Sequence, residues 1–164
     1  MPQISIEWDT VKQFYPRRPL TGPLKTFMDQ TPGTPCCVQM SHALTAGGAN
    51  VGPMSNRRRN SSITTTLGPN YYLLAVDEMN WFLTQNYGVG EEISTDDGGR
   101  RRNLADMKQV LNGRTGVLVF RDLGFGAHTE LWDVDHMLQT DMSYGLFNPP
   151  NKVLFWDVMV TATA

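Results

Sequence analysis

The run Gly116-Val117-Leu118-Val119-Phe120 limits the possible folds of this chain more than any other stretch. A short, continuous apolar segment suits a central strand, whose two faces are both buried. Behind it, Gly124-Phe125-Gly126-Ala127 supplies a turn, and His128 to Asp135 alternates like an antiparallel hairpin partner. Val153 to Val160 reads as a further strand. The preceding sequence has helical character instead. Pro35 to Ala46 ends at Gly47-Gly48, a natural C-terminal stop. Val76 to Tyr87 repeats Val76, Met79 and Leu83, carries Asp77 and Glu78 in its first turn, and meets Gly88. A third helix takes Asn103 as N-cap, repeats Leu104, Met107 and Leu111, and ends at Gly113.

Ile4 to Tyr15 places Ile6, Trp8, Val11 and Phe14-Tyr15 at mixed helical spacing and stops at Pro16. Arg17 to Pro35, rich in Pro, Thr and Gly, reads mostly as loop. Residues 49 to 70 read as a long irregular or partly extended connection. Helices first and antiparallel strands afterwards predict an α+β fold. A length of 164 residues suits one domain spanning 1–164.

Composition removes several function classes. The formal net charge is -2, so no global field favours nucleic acid or a membrane surface. No apolar run approaches the roughly 18 residues of a transmembrane helix. The opening Met1-Pro2-Gln3-Ile4-Ser5-Ile6-Glu7 lacks the basic and apolar regions of a Sec signal peptide. The expectation is therefore a protein that leaves its cell, if it does, by another route. The triplets Arg57-Arg58-Arg59 and Arg100-Arg101-Arg102 have no aromatic residues between them and read as solvated loops rather than a nucleic-acid interface.

The two cysteines are adjacent, Cys36 and Cys37, and a disulfide between neighbours is strained. Both fall at the start of the Pro35–Ala46 helix, with Thr34 as a candidate N-cap and Pro35 at the first helical position. There, unpaired backbone N–H groups and the positive end of the helix dipole favour thiolate over thiol. The same N–H groups suit a developing oxyanion. Cys37, Met40 and Leu44 share one apolar face, whereas Cys36 points about a quarter-turn away.

A nucleophilic cysteine needs an imidazole to move protons and a polar group to orient that imidazole. His42 lies six residues beyond Cys36 in the same helix and projects away from its start. His136 sits toward the far end of the alternating strand and reads as surface. His128 opens that strand after the glycine turn, where a strand end is able to face a helix N-terminus. A metal site is the competing idea, because His128, Asp133, Asp135 and His136 crowd one stretch. Strand alternation puts His128 and Asp133 on opposite faces, as it does Asp135 and His136, so neither metal nor cofactor is expected.

Cys36-Cys37-Val38-Gln39-Met40-Ser41-His42-Ala43-Leu44 resembles the cysteine helix of the type VI secretion amidase effectors, family four, in which the catalytic Cys precedes a Met-Ser pair by four residues. Tyr71-Tyr72 through Trp81-Phe82-Leu83 to Tyr87-Gly88 is similar to the second block of that family. Gly113 to Phe120 followed by Gly126-Ala127-His128-Thr129-Glu130-Leu131-Trp132-Asp133 resembles its strand, glycine turn and His-x-x-x-Trp-Asp block. Trp8 to Tyr15-Pro16 fits its opening element. The blocks occur in family order and cover most of the chain.

The resemblance implies a papain-like, NlpC-type fold with the cysteine helix packed on an antiparallel sheet. It implies cleavage of the γ-D-glutamyl to diaminopimelate bond in peptidoglycan stem peptides of rival Gram-negative bacteria, in the target-cell periplasm or on the cell wall. It further implies Cys36 as nucleophile, His128 as base and Asp141 as third member, since Asp141-Met142-Ser143-Tyr144 matches the acidic residue three before a tyrosine. Asp133 fits the Trp-Asp pair and reads as structural. A dedicated immunity protein is the partner the resemblance implies. Family members often carry a cysteine pair near the third catalytic residue, and the region 134 to 150 has none. Other functions compatible with the residues are a cysteine peptidase or acyltransferase of the same fold acting on another substrate, and a non-catalytic wall-binding module.

Overall fold

A computed structural model describes residues 2–30, 35–49, 51, 58–65, 68–73, 75–122, 125–139 and 145–160. It is α+β. Its elements are β1 (Gln3–Ile4), α1 (Trp8–Gln13), α2 (Gly22–Gln30), α3 (Pro35–Ala46), β2 (Arg58–Thr65), β3 (Gly68–Leu73), α4 (Val76–Tyr87), β4 (Glu91–Glu92), α5 (Leu104–Leu111), β5 (Arg114–Asp122), β6 (Phe125–Val134), β7 (His136–Met137) and β8 (Lys152–Val158).

The main sheet runs in the order β1-β8-β5-β6-β7, with β4 also on β8. All its pairings are antiparallel except β1 with β8. The apolar run lies at its centre, as predicted, with Val117 registered against Leu131 on one side and Trp156 on the other. Alternation sends its residues to two cores. Val117, Val119, Leu131, Leu154 and Trp156 pack with Trp8, Met40, Leu44 and Phe82 from α1, α3 and α4. Leu118, Phe120, Trp132, Val153 and Phe155 pack with Met107 and Leu111 of α5 and with Phe147. A run buried on both faces is thus explained by helices on both faces. Each fully buried side chain of this size contributes about 1.5–3 kcal/mol of transfer free energy.

Gly116 has no room for a side chain, because a Cβ there would lie 2.1 Å from the Trp156 carbonyl oxygen. β6 carries one residue more than β5 beside the turn. Phe120 pairs with His128 but Arg121 pairs with Gly126, leaving Ala127 as a bulge.

The helix boundaries at Pro35–Ala46 and Val76–Tyr87 match the sequence reading, and Asn103 caps α5 by accepting from the Asp106 backbone N–H at 2.8 Å. Three expectations are corrected. The stretch from Arg17 to Pro35 is not mostly loop, because it contains α2. Pro23 fits its first turn, and Leu24, Phe27 and Met28 lie against Val38 and Tyr72, with the Phe27 and Tyr72 rings 5.0 Å apart. Within the connection over 49 to 70, whose extended part is the antiparallel pair β2 with β3, Arg58 and Arg59 lie on a strand rather than in a loop. The second arginine triplet is not simply solvated. Arg101 donates to the carbonyls of Phe147 (2.6 Å) and Asn151, and Arg102 donates to those of Ile93 (3.1 Å) and Thr95 (3.0 Å). These guanidinium groups tie the 93–102 loop together and to the segment before β8. Among the described residues, no helix is long and apolar enough to cross a membrane.

Candidate active site

Pro35 opens α3 on the surface, and the next residue turns inward. Cys36 is 6 % exposed and Cys37 0 %. Neither forms a disulfide. The helix is fixed by the residues that follow. Met40 is buried in the core, and the Ser41 hydroxyl accepts from the Leu73 backbone N–H at 3.0 Å, stitching α3 to β3. Gln39, fully buried, donates to the Pro16 carbonyl and to the Gln139 side chain, both at 2.7 Å. The helix start that carries Cys36 is therefore held from two directions. Thr34, the candidate cap, lies outside the described residues.

β6 brings the imidazole. His128 is 8 % exposed and makes a side-chain hydrogen bond with Cys36. The Phe120 ring, its partner across the ladder, flanks it at 6.1 Å. β7 registers with Trp132 and Asp133, farther along β6, and α3 packs beside the strand. Burial pulls the His128 pKa down, but contacts with Cys36 and then Glu130 outweigh it and push the value from 6.5 up to about 9. The geometry thus favours a protonated imidazole against the sulfur at neutral pH, the arrangement in which a cysteine is nucleophilic.

Two further groups close around this pair. Glu130 is fully buried, and its carboxylate Oε1 lies 3.5 Å from His128 Nε2. Tyr15 is 5 % exposed, and burial, with the charges of Glu130 and Cys36 added, raises its pKa. Among the described residues Tyr15 Oη, His128 Nε2 and both Glu130 oxygens have no hydrogen-bond partner beyond the long His128–Glu130 approach. Buried polar atoms are normally satisfied, so four together mark this cluster out.

Cys36 and His128 are thus brought together as the sequence reading expects. Asp141 lies outside the described residues. His42 is engaged elsewhere, with Nδ1 2.9 Å from the Tyr72 hydroxyl and its ring stacked on that tyrosine. His136 is on the surface beside Asp135 at 2.7 Å. Asp133 pairs with Lys12 at 2.6 Å, and the neighbouring Trp132 donates its indole N–H to the Leu111 carbonyl at 3.0 Å, so both have structural contacts. No group of three or more His, Cys, Asp or Glu side chains gathers as a metal site among the described residues. Glu130 and Tyr15 carried no role in the sequence reading. The available signal was the two-residue spacing of Glu130 from His128, which puts both on one strand face.

Among curated proteins no match was found. Solved structures show the same fold. The type VI effector Tae4 from Enterobacter cloacae superposes with a TM-score of 0.62 at 16% identity, covering 97% of this chain and 100% of that one. The Tae4–Tai4 effector–immunity complex from the same organism gives 0.61 at 19% identity, covering 97% and 99%. Tae4 from Salmonella typhimurium, bound to the Enterobacter cloacae immunity protein Tai4, gives 0.59 at 16% identity, covering 97% and 100%. The family model for Tae4, type VI secretion system amidase effector protein 4, matches residues 33–156, from just before the cysteine helix into β8. With that match over most of its length, the chain belongs to the Tae4 family of type VI secretion system amidase effectors.

Proposed function

We propose that this amidase effector hydrolyses the γ-D-glutamyl–diaminopimelate bond of peptidoglycan stem peptides, with Cys36 as nucleophile and His128 as its acid and base. The observation that carries the reading is the buried hydrogen bond between these two side chains at the start of α3. In the first step the Cys36 thiolate attacks the amide carbonyl carbon. Backbone N–H groups of the first helical turn receive the oxyanion. The C–N bond breaks as His128 gives its proton to the leaving amine, and a thioester remains. His128 then takes a proton from water, whose oxygen displaces the sulfur and releases the carboxylate product. Asp141 is the third member on sequence resemblance. Within this reading the fold is a compact relative of the NlpC-type, papain-like peptidases, supported by a helix-borne cysteine beside a sheet-borne histidine. Delivery into a rival cell, action on its wall and neutralisation by an immunity protein similar to Tai4 follow from the family and its solved complexes.

The deciding measurement is digestion of defined muropeptides with products separated by mass. Wild type is expected to release fragments cut between the γ-glutamyl and diaminopimelate residues, and Cys36→Ala none. Cleavage at another amide would reassign the substrate, and activity retained by Cys36→Ala would refute the mechanism.

A further inference from the structure

We propose that Glu130 is a positioning residue of the active pair: from inside the protein its carboxylate holds the His128 ring in the orientation that the Cys36 thiol requires. The inference rests on the reading of Cys36 and His128 as the reacting pair. Three observations carry it. The carboxylate approaches Nε2 of His128 at 3.5 Å, and the two residues are i and i+2 on one strand, so the pleat itself fixes their spacing. The Glu130 side chain has no exposed surface, which removes substrate contact as its role. Apart from this approach to the imidazole, neither carboxylate oxygen has a hydrogen-bond partner among the described residues. A fully buried carboxylate left that way costs stability, so packing alone does not account for it.

An orienting group must hold the ring in one pose and stabilise the imidazolium formed when the thiol gives up its proton. Glu130 is placed for both. Among the described residues, the titratable groups around His128 are Cys36 from α3, Glu130 from its own strand, and Tyr15 from the segment after α1, with Arg17 and Arg18 acting on Tyr15. Of these, Glu130 is the carboxylate in contact with the ring.

The test is Glu130→Gln, a near-isosteric change that removes the charge, measured beside Glu130→Asp and Asp141→Asn. His128 is titrated by NMR in the substrate-free protein, the pH dependence of Cys36 alkylation is recorded, and kcat and KM are measured on purified peptidoglycan. In Glu130→Gln the His128 titration and the alkaline limit of activity should both move to lower pH. A fall of roughly 10²-fold in kcat with KM unchanged and no loss of melting temperature is expected. Glu130→Asp should recover part of the kcat. An unchanged His128 titration in folded Glu130→Gln would overturn the proposal. So would a move of the His128 titration to lower pH confined to Asp141→Asn, which would transfer the role to that residue. Should Glu130→Gln not fold, Glu130→Asp decides, and wild-type titration and kcat in that variant would refute it. The titration needs no substrate, so its outcome is separate from the fate of the hydrolase reading, which Cys36→Ala tests.

Discussion

Two charged clusters in this protein satisfy their polar groups in opposite ways. Around Arg114 every contact is closed. The guanidinium donates to Asp157 at 3.1 and 2.8 Å and to Glu91 at 2.8 Å, and it lies over the Phe155 ring at 4.7 Å. Those bonds tie β4, β5 and β8 together, and the two carboxylates raise the pKa of the arginine although burial opposes them. Around His128 the polar atoms are more deeply buried, yet four of them lack a close hydrogen-bond partner among the described residues. The first cluster has spent its hydrogen-bonding capacity on holding strands. The second keeps protons and charges available, which is what acid–base chemistry needs. Even within β6 the contrast repeats: Asp133, though buried, is bonded to the half-exposed Lys12, and Glu130 is enclosed beside the imidazole.

The sharpest way to break this contrast is His128→Gln. If the second cluster is chemical rather than structural, the change should lower amide hydrolysis by about 10²–10⁴-fold per folded molecule, beyond the modest stability lost with the protonated imidazole. A large drop in stability with normal activity per folded molecule would make the two clusters alike. The mirror experiment is Arg114→Met, expected to cost about 2 kcal/mol in denaturant unfolding because two carboxylates lose their partner, with kcat unaffected.

Smaller in effect is the pH dependence of folding. The folded His128 pKa of about 9 lies above its unbound value of 6.5. Its protonation therefore stabilises the fold fully below pH 6.5, and that contribution is lost as pH rises through about 9. Melting curves between pH 6 and pH 10 should show an alkaline decline that His128→Gln lacks. Smallest is Asp133→Asn. Its partner Lys12 is 45% exposed, so the loss should stay below about 1 kcal/mol with hydrolysis unchanged. A strong catalytic defect there would move the functional carboxylate from Glu130 to Asp133.

Where local chemistry dictates structure, the chain is legible before folding. Gly47-Gly48, Gly88 and Asn103 punctuate helices whose ends the fold reproduces, and the Val117–Phe120 run sits at the centre of the sheet. The cysteine and histidine were legible too, because a helix start and a strand after a turn are local features. α2 was hidden by its Gly, Pro and Thr neighbours, although Leu24, Phe27 and Met28 form a short stripe once Val38 and Tyr72 face it. Glu130 was hidden for a deeper reason. On an alternating strand a glutamate reads as the solvent side, and only tertiary packing reveals that the side chain is enclosed. Arg101 and Arg102 misled in the same way, since their targets are carbonyls brought close by the loop.

The bulge at Ala127 carries a final consequence. The extra residue takes up a one-step offset between the turn-side pairs, Arg121 with Gly126, and the pairs beyond it, Phe120 with His128 and Leu118 with Glu130. Without Ala127 the two registers would merge into one, and His128 would still stand opposite Phe120. The bulge thus absorbs a change in hairpin length on the turn side and leaves the strand that bears the imidazole in place.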